Sequence, residues 1–201
     1  SYNATQVSGG KAVDISSGGD VSGLINHEID VVEFSQISIQ AKVSFVEWLG
    51  QKMLPKLQGE SREVALNGLS LIAKWRETQE VSGDDLSLAL MNEEDEGIYA
   101  YANSQSDTEI NSAIEVVGGA VSYVAWRVYK YTNKRIPQEY ERANDEFVQW
   151  ILDRVEKSAV LGSTQISNVL RYLYAHYKTN SEVLGDVVEI CEIDEAANPH
   201  P

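Results

Sequence analysis

The side chains best suited to nucleophilic or acid–base catalysis are few and fall in no catalytic motif. The chain has three histidines and one cysteine, namely His27, His176, His200 and Cys191. Nucleophilic catalysis needs a Ser or Cys beside a base, and no spacing here indicates such a pair. Cys191 is adjacent to Glu192, and a nearby carboxylate makes a thiol less reactive. The sequence therefore predicts a protein that is not an enzyme.

Sites for phosphate or metal ions are equally poorly supported. The glycine pairs, such as Gly118-Gly119, lack the spacing and the following Lys-Ser/Thr of a phosphate loop. The run Asn92-Glu93-Glu94-Asp95-Glu96 can attract a divalent cation, but it lacks the alternating ligands of a calcium loop. A single cysteine excludes multi-cysteine metal sites. We expect no cofactor and no metal ion.

The distribution of charge is the most informative feature. The 201 residues include 31 Asp and Glu against 16 Lys and Arg, for a net charge of -15. Between Arg76 and Arg127 there is no basic residue, while eleven acidic ones occur there: Glu77, Glu80, Asp84, Asp85, Glu93, Glu94, Asp95, Glu96, Asp107, Glu109 and Glu115. Basic residues gather instead at Arg127, Lys130, Lys134, Arg135 and Arg142. Such a protein repels nucleic acid and anionic membranes and associates rapidly with cationic proteins.

The middle of this acidic stretch is the predicted binding site for a partner. Tyrosines among carboxylates suit a protein interface, because aromatic rings supply anchors and charges raise the rate of encounter. The predicted partner-binding residues are Asp84, Asp85, Glu93, Glu94, Asp95, Glu96, Tyr99 and Tyr101. The alternative is that these acids only decorate helix N-termini, where carboxylates are favourable, or only keep the protein in solution.

The elements that would position these residues are predominantly helical. Residues 1–33 are rich in Gly and Ser and predict a loop or a short hairpin formed by residues 12–15 and 29–34. Residues 34–195 form the predicted acidic helical domain, and residues 196–201 a polar tail. The fold class expected is mainly α, a single-domain bundle of about six to eight helices.

Apolar spacing and capping residues give the individual helices. Caps are expected at Ser35, Ser61 and Ser163, a capping pair at Ser82 and Asp85, and a strong start signal at residues 106–109. Pro55 should end or kink the first helix near Leu57, and Pro137 should begin another that continues to about Val155. Further predictions are a last amphipathic piece over residues 182–193, and close packing or a kink at Gly118-Gly119. Core packing is expected for most of the four tryptophans, Trp48, Trp75, Trp126 and Trp150.

The absence of an apolar run near 18 residues and of a secretory signal pattern predicts a cytoplasmic protein.

With the helices placed, residues 35–157 resemble an all-helical immunity-protein family of bacterial polymorphic and contact-dependent toxin systems. The residues that carry this resemblance are Trp75, Asp95-Glu96-Gly97, the run Ser122-Tyr123-Val124-Ala125-Trp126-Arg127-Val128-Tyr129, and Pro137-Gln138-Glu139-Tyr140-Glu141. The resemblance implies an antidote that binds a cognate toxin domain, often a basic nuclease, and blocks its active or substrate-binding site. The Gly/Ser-rich first 33 residues depart from a compact helical antidote.

Two other functions remain open from the sequence. A helical adaptor or accessory protein of a phage or secretion system would bind through apolar grooves and would display an extended apolar patch. An enzyme with an acidic active site would have a deep pocket with clustered carboxylates of raised pKa.

Overall fold

The computed structural model describes residues 29–178, and they fold into eight α-helices and three short 3-10 turns. The α-helices are α1 (Val31–Gln36), α2 (Ile39–Met53), α3 (Gly59–Thr78), α4 (Gly83–Leu90), α5 (Ile98–Ser104), α6 (Thr108–Tyr131), α7 (Val148–Ser158) and α8 (Ser163–His176). The 3-10 turns are Leu54–Lys56, Gln138–Tyr140 and Asp145–Phe147. The predicted all-helical, single-domain fold is confirmed.

Helix α6 is the centre of the domain. Every residue from Ser112 to Tyr129 is buried except Glu115, which is half-buried. Helices α2, α3, α4, α5 and α7 all pack against α6. A helix that is apolar around its whole circumference is typical of a protein core, because other helices then cover each of its apolar faces. The stripe of valines noted in the sequence therefore covers the full perimeter of one central helix.

The glycine pair in α6 allows α7 to approach closely. A Cβ atom added to Gly119 would lie 2.9 Å from Cγ1 of Ile151 and 3.2 Å from the ring of Trp150. The predicted close packing at Gly118-Gly119 is thus confirmed at Gly119. All four tryptophans are buried, as expected, and Trp150 stacks on Phe147 with ring centroids 5.1 Å apart.

Two clusters of opposite charges lie inside the helical packing. Glu47 of α2 accepts a hydrogen bond of 2.7 Å from Nε of Arg76 on α3. Asp145 accepts hydrogen bonds from Nη2 of Arg127 at 2.6 Å and from Nζ of Lys42 at 3.1 Å. Since a buried charge is costly unless it is paired, these contacts fix α2, α3, α6 and the Asp145–Phe147 turn to one another.

Several start and stop signals are where the sequence places them. Ser82 and Asp85 form a reciprocal capping box at the start of α4, and Asp107 caps α6. The long α2 ends before Pro55, whose ring begins a 3-10 turn. The segment from Met91 to Gly97 separates α4 from α5.

Three of the expected caps are wrong. Ser35 lies inside α1, and Ser38 caps α2 through a hydrogen bond from the Ala41 N–H. Ser61 lies inside α3, which begins at Gly59 without a side-chain cap. Ser163 is the first helical residue of α8, while Gly162 occupies the cap position. Ser35 lies three residues before the true cap of α2, whereas Ser61 and Ser163 lie in the first turns of helices that begin earlier than their first buried residues indicate.

The prediction of a β-strand over residues 29–34, as the second strand of a hairpin, is also wrong. Residues 31–36 are helical because the Asp30 carboxylate accepts a hydrogen bond of 3.0 Å from the Glu33 N–H, and because Phe34 is buried on the helical face. Its proposed partner, residues 12–15, lies outside the described part of the chain, as do the expected helix over residues 182–193 and the tail.

The helix expected from Pro137 is replaced by two short turns. Residues 138–140 form one 3-10 turn, and the Asn144 side chain then accepts a hydrogen bond of 3.0 Å from the Glu146 N–H and starts the second. Helix α7 begins only at Val148. The chain turns here because Tyr140 and Asp145 are both drawn inward, Tyr140 to Ser87 and Asp145 to Arg127.

Among the described residues, no helix is both long and apolar enough to cross a membrane.

Candidate functional site

The first pair of predicted binding residues, Asp84 and Asp85, lies at the start of α4. Each carboxylate accepts a hydrogen bond from within the protein and remains exposed. Asp85 Oδ2 accepts the Ser82 N–H at 3.1 Å, and Ser82 Oγ accepts the Asp85 N–H at 3.0 Å. Asp84 Oδ1 accepts a hydrogen bond of 2.6 Å from the Tyr129 hydroxyl of α6. These contacts hold two negative charges in fixed positions at the protein surface.

The second group, residues 93–96, lies in the loop that follows α4. Oδ1 of Asn92 accepts the N–H groups of Glu94 at 3.1 Å and Glu96 at 2.9 Å, so one side chain organises the loop backbone. Asp95 has a φ of 55°, a conformation that Asp and Asn tolerate better than most residues. All four acidic side chains are exposed. The loop therefore presents them on an ordered backbone.

Gly97 holds the end of this loop against α4. A Cβ atom at Gly97 would lie 2.3 Å from the Leu90 carbonyl oxygen, so any side chain here would push the loop away from the helix. The motif Asp95-Glu96-Gly97 thus combines two exposed charges with the one residue type that permits the close approach. We call Asp84, Asp85, Glu93, Glu94, Asp95 and Glu96 the acidic patch.

Within residues 29–178, no member of the acidic patch forms an ion pair. Arg127, the first basic residue that follows in the sequence, pairs with Asp145, and Lys42 of α2 completes the same cluster. Other ion pairs of this region join Lys56 to Glu109 and Arg154 to Glu115. The negative charge of the patch is therefore not neutralised by the part of the protein that the structure describes.

The two predicted tyrosines have different surroundings. The hydroxyl of Tyr99 shares a short hydrogen bond with Ser122 of α6, and burial raises the pKa of Tyr99 well above its usual value. The Tyr101 hydroxyl donates to Oε2 of Glu60 on α3 at 2.8 Å. Tyr99 thus fixes α5 on the core through its hydroxyl and presents only part of its ring, whereas Tyr101 is held at the surface between α5 and α3.

Two exposed apolar side chains, which the sequence analysis did not select, lie beside the acidic patch. Leu88 is 62% exposed and Met91 is 46% exposed. Leu88 follows Asp84 by four residues, the spacing that places two residues on one face of a helix, and Met91 directly follows α4 with an extended backbone. The exposure of Leu88 could have been predicted from the sequence, because its position does not share the helix face of the buried residues Leu86 and Leu90. An apolar centre between carboxylates is typical of protein interfaces.

A groove of about 580 Å3 opens next to Met91. Its walls come from α5, from α6 and from the segment after α6, and its lining includes Met91, Tyr99, Glu115, Glu139, Glu141 and Arg142. Burial raises the pKa of Glu115, although Arg154, with its Nε 3.4 Å from Glu115 Oε1, opposes this effect. The groove is therefore acidic as well, with three carboxylates against one arginine.

Tyrosines from three segments connect the groove to the patch. The ring of Tyr140 stacks on Tyr129 with centroids 6.1 Å apart, and its hydroxyl donates to Ser87 Oγ at 2.8 Å. Tyr129 in turn donates to Asp84. The Ser122–Tyr129 run, the Pro137–Glu141 segment and Asp95-Glu96-Gly97 thus meet around α4.

The structure describes one of the three histidines and not the cysteine. His176 ends α8 beside Tyr172, while His27, Cys191 and His200 lie outside the described residues.

Comparison with known proteins gives one match. The model of the family Immunity protein Imm6 matches residues 41–158, which is more than half of the chain. No curated protein and no solved structure matches. The matched range includes the whole acidic patch, the groove lining and both buried charge clusters.

Proposed function

The chain belongs to the Imm6 immunity protein family, and from this premise we propose that it binds a cognate, basic toxin domain through the acidic patch and covers that toxin's active or substrate-binding site. The observation that carries the proposal is the set of six exposed carboxylates, held on an ordered helix start and loop, that form no ion pair with any residue from 29 to 178. A toxin that acts on nucleic acid has a basic surface for phosphates, and fixed carboxylates can occupy that surface.

The proposed mechanism requires no chemical step by the antidote. Carboxylates raise the rate at which a basic partner arrives, and a buried apolar centre lowers the rate at which it leaves. Here Leu88 and Met91 supply the apolar centre, and the acidic patch surrounds it at both ends of α4. Preorganisation by Asn92, Ser82 and Tyr129 reduces the entropy lost on binding.

The helical adaptor alternative is less well supported. It requires an extended exposed apolar patch, whereas the large exposed apolar side chains of the described residues come from four different helices and the residue after α4: Val32, Leu66, Leu88, Tyr131 and Met91. Of these, Leu88 and Met91 are three residues apart in the sequence, and acidic residues precede and follow them.

A protection assay in bacteria tests the proposal. Cells express the toxin domain encoded beside the gene of this chain, with or without the chain. Wild type is expected to restore growth, and Glu94→Lys/Glu96→Lys to lose protection, because both side chains are exposed while only their backbone N–H groups contact Asn92. The control Glu77→Lys/Glu80→Lys changes the net charge equally at other exposed positions of the chain. Equal protection by both variants would refute the role of the patch.

A further inference from the structure

The groove beside Met91 has the size and shape of a binding site. Its volume of about 580 Å3 falls within the range of cavities that hold small ligands or single side chains. Three separate segments form it, namely α5, α6 and the segment from 138 to 142. None of these segments alone would make a concave surface.

The acidic lining of the groove favours a positively charged ligand. Glu115, Glu139 and Glu141 line it, against Arg142 as the basic lining residue. Arg142 already interacts with other groups of the protein. Because Glu115 is paired with Arg154, the attraction of a cation to the groove, and the repulsion of an anion, come mainly from Glu139 and Glu141.

The aromatic lining favours a cation carried on a side chain. Tyr99 and Tyr140 line the groove, and both rings are fixed, Tyr99 by Ser122 and Tyr140 by Ser87 and by stacking on Tyr129. Tyr140 is almost completely buried, so the half-buried ring of Tyr99 offers the aromatic surface on which a guanidinium or ammonium group can bind, and this fixed ring loses little entropy when it does.

The groove is continuous with the proposed interface. Met91 lines the groove and, with Leu88, forms the apolar centre of the acidic patch. A partner seated on the patch therefore has the groove at the edge of its contact area.

We propose that the groove binds an arginine or lysine side chain of the toxin, and that Glu139 and Glu141 are the carboxylates that recognise it. This inference rests on the proposed function, because the side chain belongs to the partner that binds the acidic patch.

The test uses the two methionines of the chain as reporters. Met91 lines the groove, whereas Met53 is fully buried in the core and serves as an internal control. The chain is labelled with 13C-methyl methionine and titrated with the peptide acetyl-Gly-Arg-Gly-amide. The reference peptide replaces arginine by citrulline, which has the same shape without the charge. The arginine peptide is expected to shift the Met91 signal in a saturable way, with a Kd in the millimolar range for a single contact of about 4 kcal/mol, and to leave Met53 unchanged.

Two charge-matched variants complete the test. Glu139→Gln/Glu141→Gln is expected to weaken the Met91 response at least about threefold, and Glu77→Gln/Glu80→Gln to retain it. A response of equal size with citrulline, or one that survives in Glu139→Gln/Glu141→Gln, would overturn the proposal. Binding of the toxin is measured in parallel. If the arginine peptide binds and the toxin does not, the proposed function fails; if the toxin binds equally well to both variants, the groove proposal fails.

Discussion

The Tyr129 hydroxyl donates a 2.6 Å hydrogen bond to the Asp84 carboxylate, which lies 45 residues earlier in the chain. This bond joins the buried central helix α6 to the first turn of α4. It fixes a charge of the acidic patch to the helix that forms the centre of the core. The same Tyr129 ring stacks on Tyr140, whose own hydroxyl is bonded to Ser87 of α4.

Replacing either partner of this bond should destabilise the protein. We expect Tyr129→Phe to lower the free energy of unfolding by about 1.5 to 3 kcal/mol, the usual range for a hydrogen bond to a charged group. The measurement is equilibrium urea unfolding. Tyr131→Phe is the control, because Tyr131 is 55% exposed. The free energy of unfolding of this control should stay within about 0.5 kcal/mol of that of wild type. In a double-mutant cycle with Asp84→Ala, additive effects of the two changes would show that the bond contributes nothing.

The buried cluster around Asp145 predicts a dependence of stability on pH. Burial acts to raise the pKa of Asp145, but the hydrogen bond from Tyr123 and the charges of Arg127 and Lys42 outweigh it and hold this pKa below the usual 3.8. A carboxylate with a lowered pKa stabilises the fold above its unfolded pKa and loses that contribution as pH falls through the folded value. Wild type should therefore lose stability below about pH 4.

Asp145→Asn isolates this contribution. The change leaves two buried cations without their counter-charge, so we expect a loss of about 3 to 5 kcal/mol near neutral pH. The variant should also lose less stability than wild type between neutral pH and pH 3, in urea unfolding measured at several pH values. The neighbouring exposed Glu146→Gln is the control. An Asp145→Asn curve parallel to that of wild type would contradict the assigned role.

Leu88 should contribute to binding and not to folding. Since its side chain is 62% exposed, Leu88→Ser should change the free energy of unfolding by less than about 0.5 kcal/mol. If it is the apolar centre of the interface, the same variant should raise the dissociation rate constant of the toxin complex roughly tenfold or more, because a central anchor is worth about 1.4 kcal/mol or more. Surface plasmon resonance gives this rate. Leu66→Ser, at a site 40% exposed on α3, should leave it unchanged.

Local signals account for the part of the fold that was predictable. Helices α2, α4 and α6 were expected because their apolar residues repeat with helical spacing and because Ser82, Asp85 and Asp107 cap within one turn. The segment after Pro137 was missed because long-range contacts decide its shape: Tyr140 reaches Ser87, and Asp145 reaches Lys42, which is 103 residues away. No local pattern encodes either contact.

The candidate site also has a part that the sequence predicts and a part that depends on packing. The acidic residues were visible as a gap in basic residues, and the structure places all six at the surface. The sequence could not show that the Tyr99 hydroxyl faces Ser122, or that Glu139 and Glu141 line a groove beside Met91, because both relationships depend on how α5 and the segment after α6 pack against the core.

The most direct test of the acidic patch is the association rate constant with the toxin domain, measured by stopped flow over a range of ionic strengths. For wild type, the rate constant should fall steeply as salt increases, since salt screens exposed charges. Glu94→Lys/Glu96→Lys should associate at least about tenfold more slowly at low salt and with a shallower salt dependence, while Glu77→Lys/Glu80→Lys should stay closer to wild type. A wild-type rate constant that does not change with ionic strength would contradict binding through the acidic patch.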